Sequence, residues 1–180
     1  MRSASTPPAS PSRRRLIFTG VAGVAALALA RFLQPDPARE AGGLRGLSPH
    51  GEEIMRALVP AFLDGALPAQ APERHAAVAA TVDAISAAIA GLPPLTRDEL
   101  STLFAILAFA PLRIAVAGID RAWPDVAIED ARAFIERLRT SRIPQKRAAY
   151  DAFHQLTLAA WYASPRAWPA IGYAGPPRLP

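Results

Sequence analysis

From residue 48 onward the apolar positions of this chain recur three or four residues apart, and no stretch sustains the alternation of a half-buried strand. That period predicts helices. Ser48-Pro49 opens the first, with serine at the cap and proline in the first turn. Ile54, Leu58 and Phe62 give it an apolar stripe that closes near Asp64-Gly65. A second helix is predicted from about Pro72 to Ala90, carrying Val78, Val82, Ile85 and Ile89 and stopped by Gly91. A third is expected to start at Thr96, where Thr96-Arg97-Asp98-Glu99 has the form of a capping box. Its face is Leu100, Leu103, Phe104 and Leu107, until Pro111 breaks the run and a short helix over 112–117 ends at Gly118. Ile128, Ala131, Phe134, Ile135 and Leu138 mark a helix over about 126–140. The last long helix, about 145–163, is expected to bury Ala149, Phe153, Leu156 and Ala160. The expected fold is all-α, an irregular bundle of about five or six helices with an extended Pro/Gly-rich C-terminal tail.

The first 30 residues follow a different pattern. A polar lead precedes Ser12-Arg13-Arg14-Arg15-Leu16-Ile17-Phe18, which resembles a twin-arginine signal. Arg13 and Arg14 fill the paired positions, and Leu16 and Ile17 the apolar ones. The apolar run over 16–30 would span about 22 Å as a helix, short of the ~30 Å hydrocarbon core, and so suits a signal segment better than a permanent span. Ala28 and Ala30 supply the small residues of a cleavage site. The division expected is a signal peptide over 1–30, a linker over 31–47 rich in Pro and Gly, and a helical domain over 48–180. An uncleaved anchor is the alternative for the leader. Membrane association is otherwise expected only through a complex.

Charge supports that division. The chain carries a net +5, but residues 1–30 hold four arginines and no acid, leaving 16 basic against 15 acidic residues beyond them. A nucleic-acid binder concentrates its positive charge on the folded domain, so that class is set aside. The absence of cysteine excludes disulfides, thiolate metal sites and a cysteine nucleophile.

Candidate chemistry is sparse. There is no Gly-x-Ser-x-Gly and no phosphate-binding glycine loop in the domain. His154 and Asp151 share a helical face but lack a third partner, so a surface or hydrogen-bonded histidine is expected. Arg132 and Glu136 stand four apart, as an ion pair on a solvated helix face would. No catalytic, cofactor-binding or metal-ligating residue is assigned. Trp161, Tyr162, Trp168 and Tyr173, in contrast, place four of the six Trp and Tyr within 13 residues. Such rings anchor interfaces well, because they bury much area with little entropy loss. The same rings would equally serve to close the bundle on itself.

The stretch from Tyr150 to Tyr162, with its Leu156-Thr157-Leu158 run, followed by Trp168 and Ile171-Gly172-Tyr173-Ala174-Gly175-Pro176-Pro177, resembles the small (gamma) subunits of gluconate 2-dehydrogenase. The Leu47-Ser48-Pro49 helix start and the twin-arginine leader are similar to that family too. The resemblance covers the two ends of the chain, and the middle only by helix pattern. It implies a non-catalytic accessory subunit with no cofactor of its own. Its partner would be a large dehydrogenase subunit of the glucose-methanol-choline type, holding FAD, with a cytochrome subunit as a further member. The small subunit would help the large one fold and take it through the twin-arginine translocase to the periplasm, free or associated with the inner membrane. Trp161, Tyr162, Trp168, Ile171, Gly172, Tyr173, Gly175 and Pro176 are the expected partner-binding residues. The alternative reading is a free-standing periplasmic helical protein binding a small apolar ligand.

Overall fold

The computed structural model describes residues 46–176, so the signal residues Ser12, Arg13, Arg14, Leu16 and Ile17 and the cleavage residues Ala28 and Ala30 lie outside it. Six α-helices and no strand occur among the described residues, which is the all-α bundle expected. They are α1 (Pro49–Phe62), α2 (Ala71–Ala90), α3 (Pro94–Ala108), α4 (Ala110–Ala117), α5 (Ile128–Arg139) and α6 (Pro144–Tyr162). Three short 3-10 turns, Trp123–Asp125, Pro165–Ala167 and Pro169–Ile171, complete the order.

Helix α1 is the centre. Ser48 caps it, its Oγ accepting from the Gly51 amide at 3.1 Å. Ile54, Met55, Leu58 and Val59 are fully buried, and each is worth about 2 kcal/mol of transfer free energy. Around them pack α2, α3, α5 and the Trp123 turn, while α6 closes the far side against α2 and α5. Phe104 and Phe153 meet at 5.6 Å between ring centroids, and Trp123 meets Phe134 edge-on at 5.9 Å. The chain before α1 is already docked, because the Leu47 amide donates to Ser86 Oγ at 2.9 Å. A Cβ at Gly46 would come within 2.2 Å of that same oxygen. Gly46 and Leu47 therefore lie against α2.

The predicted helix faces hold, and three details change. First, α3 begins at Pro94 rather than Thr96, with Pro93 at the cap position and no side-chain cap bond. Proline is pre-shaped for a first turn, so the helix starts there, and Thr96 is simply an exposed helical residue. Second, Arg132 pairs with Asp64 at 2.7 Å, and Glu136 binds Arg139 through two bonds of 2.8 and 2.7 Å instead. A carboxylate matched by the planar guanidinium fork outcompetes a single contact. Third, the face of α6 includes Thr157, at 0% exposure, while Ala149 and Leu156 are only half-buried.

Between α3 and α4 the axis bends by 93°, with Phe109 in an extended conformation at the corner. Pro111 has no N–H to give back to Leu107, four residues earlier, so that carbonyl loses its helical partner. The Trp123 indole supplies the missing donor, its Nε1 bonding Leu107 O at 2.9 Å. The turn after α4 is held in the same manner. Gly118 adopts φ +64, Arg137 donates to the Ala117 carbonyl, and Arg113 Nε donates to the Ile119 carbonyl at 3.3 Å. Cationic side chains at a helix C-terminus also suit its negative end.

Candidate functional site

The last turn of α6 delivers Trp161 and Tyr162 to opposite environments. Trp161 is 6% exposed and packs inside its own bundle, beside a shallow recess of about 260 Å³ walled by Ala77, Ala80 and Thr81 of α2. It is therefore a core residue of its own bundle, in contrast to the expected partner-binding residues that stand exposed. Tyr162, one position on and so rotated about 100° round the helix, is 42% exposed.

Beyond α6 the tail is more compact than an extended segment. Ser164 Oγ accepts from the Arg166 amide at 3.4 Å, and Pro165 and Pro169 each begin a 3-10 turn. The chain then winds around the half-buried Trp168. Its indole Nε1 donates to Tyr162 O at 3.0 Å, and its carbonyl accepts from the Tyr173 amide at 3.0 Å. Its ring meets Tyr173 edge-on, with centroids 5.3 Å apart and planes at 78°. Two glycines make this possible. Gly172 takes φ +67 to reverse the chain, and Gly175, at φ +98, lies so close that a Cβ would sit 2.9 Å from Trp168 Cζ3. The glycine-tyrosine-x-glycine spacing is thus the spacing of a coil around one tryptophan.

The result gathers Tyr162, Trp168 and Tyr173 at the end of α6. Ile171 and Tyr173 stand out from the coil at 55% and 48% exposure, and Pro176 is exposed as well. Arg166 is the single charged residue between positions 161 and 176. Chemically the surface offers aromatic and aliphatic area and two phenol hydroxyls, with no nucleophile–base pair.

His154 is stacked on Tyr150, with ring centroids 5.4 Å apart and an interplanar angle of 16°, and lies 6.0 Å from Phe62. It is a packing residue of the α1–α6 seam. Among the described residues no group of three or more His, Asp or Glu side chains is placed to hold a metal ion. A second open groove, of about 510 Å³, runs between α1 and the Trp123–Ile128 segment, past Glu53, Arg56, Pro60 and Val126. No single helix among the described residues is long and apolar enough to cross a membrane.

Comparison with known protein families, with curated proteins and with solved structures returns no match. The functional reading rests on the residues themselves. The short helix expected over 112–117 is α4, but sequence reasoning missed that its one charged residue, Arg113, is turned inward. The signal was present in the sequence as a single arginine inside an apolar octet.

Proposed function

We propose that this chain is a non-catalytic small subunit of an exported, FAD-dependent dehydrogenase complex of the glucose-methanol-choline type, assisting the folding and twin-arginine export of the catalytic subunit. The observation that carries the reading is the C-terminal coil. Trp168, Gly172 and Gly175 hold Tyr162, Ile171 and Tyr173 in one arrangement before any partner arrives. A surface ordered in advance loses less entropy on docking, and apolar rings held in water gain from being covered. A tail that served only to close its own bundle would turn these side chains inward, as Trp161 is turned. FAD belongs, in this reading, to the large subunit.

The alternative, a carrier of a small apolar ligand, finds less support. The interior is filled by side chains such as Phe104, Phe134 and Phe153, and the recesses beside Trp161 and between α1 and the Trp123–Ile128 segment are open rather than enclosed. The test is co-purification. The tagged full chain is expected to bring down a large yellow flavoprotein, and Tyr173→Glu with Ile171→Glu is expected to release it while the helical circular dichroism is unchanged. Isolation of the chain as a stable monomer with a bound lipid-like ligand would overturn the reading in favour of the carrier.

A further inference from the structure

The three tryptophans carry the same donor and differ in what that donor meets. The Trp123 indole donates to the Leu107 carbonyl, and the Trp168 indole to the Tyr162 carbonyl. Trp161 is only 6% exposed, yet its Nε1 has no acceptor among the described residues. Nor is that nitrogen sealed in. Thr157 Oγ1 is the one partnerless side-chain oxygen or nitrogen shut fully from solvent among the described residues, so Trp161 Nε1 keeps contact with an opening. The opening that Trp161 lines is the recess of about 260 Å³ between α2 and the end of α6. An N–H this deep without an acceptor costs free energy, and one that faces an opening can be satisfied from outside.

What could satisfy it is set by the rest of the lining. Alanines supply five of the nine residues around the recess, so its walls are methyl groups with little reach. Thr81 is engaged with its own helix, its hydroxyl donating to the Ala77 carbonyl at 2.8 Å. Ser164 and Arg166 complete the lining, from the turn that starts the tail. Ser164 Oγ accepts from the Arg166 amide and keeps its own proton. Arg166 has no carboxylate within ion-pair distance among the described residues, and no acid lines the recess among them. The uncommitted polar groups are therefore donors: an indole N–H, a hydroxyl and a guanidinium.

We propose that this recess receives a carboxylate on a short apolar stem, an aspartate or glutamate side chain of the partner protein. One oxygen takes the Trp161 N–H and the other meets the Arg166 guanidinium, while the stem lies on the alanine methyls. A neutral carbonyl would satisfy the indole and leave the arginine alone. A phosphate calls for more positive charge than one guanidinium supplies. The source follows from the shape of the recess. An open recess covers too little of a free small acid to hold it well, whereas a side chain presented by a docked protein is covered by that protein's surface. Arg166 also stands between Tyr162 and Trp168, in the tail on which the partner is proposed to sit. The assignment of the carboxylate to the partner rests on that reading, and the carboxylate site itself does not.

The site is read by magnetic resonance on the full chain alone, with its indole nitrogens isotope-labelled. The Trp161 resonance is the one that Trp161→Phe removes. Sodium butyrate is expected to move it saturably, while butanol and sodium chloride at equal concentration do not. The Trp123 and Trp168 resonances, whose donors are already bonded to carbonyls, are expected to stay in place. Arg166→Gln, at an exposed position, is expected to raise the half-saturating butyrate concentration about fivefold. A Trp161 resonance that does not respond, that follows butanol equally, or that titrates alike in Arg166→Gln overturns the carboxylate site. These titrations need no partner, so they are decided apart from the accessory-subunit reading. The source is read on the complex. Arg166→Glu is expected to weaken retention of the flavoprotein by about tenfold or more, because like charges then meet. A flavoprotein held as tightly by Arg166→Glu as by the wild type overturns the assignment of the carboxylate to the partner.

Discussion

Replacing Gly175 with alanine puts the coil around Trp168 under a test whose size follows from the structure. The closed coil is held by the Trp168 indole bond to Tyr162 O, worth about 1 kcal/mol, and by the edge-on Trp168–Tyr173 pair, worth about another 1 kcal/mol. Alanine at φ +98 costs roughly 1–2 kcal/mol of backbone strain. Its methyl group would also meet Trp168 Cζ3 at 2.9 Å, an aromatic carbon that cannot swing away without breaking both contacts. Strain and clash together match or exceed the ~2 kcal/mol that closes the coil, so the open form should rise by about tenfold or more. Gly172→Ala supplies the control, since Gly172 has φ +67 but nothing within 4 Å of the added carbon. It bears the strain alone. Amide exchange at Tyr173, whose N–H is bonded to Trp168 O, reads the opening directly. The expected order of protection is wild type, then Gly172→Ala, then Gly175→Ala, with the global unfolding midpoint nearly constant because the core lies beneath α6. Equal protection in Gly175→Ala and wild type would refute the claim that the tail is held by its packing on Trp168.

Other predictions concern the bundle. Thr157 is fully buried and its hydroxyl has no hydrogen-bond partner among the described residues, so Thr157→Val should stabilise the protein by about 1 kcal/mol in chemical denaturation. Trp123→Phe keeps the ring but leaves the Leu107 carbonyl unpaired beside Pro111, and should cost about 1–3 kcal/mol in the same assay. Glu136 is held below the usual carboxylate range, first by its hydrogen bonds to Arg139 and then by that residue's charge. Its small contribution is present above the unfolded carboxylate's value and lost as pH falls through the lowered one. Glu136→Gln should therefore flatten the acid limb of the stability profile slightly, and leave neutral stability almost unchanged.

How much of this was legible beforehand depended on how local its cause was. The faces of α2 and α5 were readable because spacings such as Val78–Val82–Ile85–Ile89 leave one side to bury. Pro111 announced the bend, and Gly118 the stop after α4. Partners chosen in three dimensions were not readable. Arg132 took Asp64 instead of its helical neighbour, and the donor that satisfies Leu107 came from Trp123, sixteen residues away. The α3 start was misplaced because the capping-box pattern is common, whereas Pro93-Pro94 set the first turn by covalent geometry. In the candidate site the residue types were visible and their sorting was not. The sequence could not show that Trp161 turns inward and Tyr162 outward, or that Gly175 exists to admit Trp168.

The most direct measurement is where the proposed large flavin subunit resides when Arg13 and Arg14 of the proposed leader are changed. With Arg13→Lys and Arg14→Lys, the account predicts that the flavoprotein and its dehydrogenase activity remain in the cytoplasm, although the flavoprotein's own sequence is untouched. A flavoprotein that reaches the periplasm undiminished, or a small chain that is exported and functions with nothing bound to it, would contradict it.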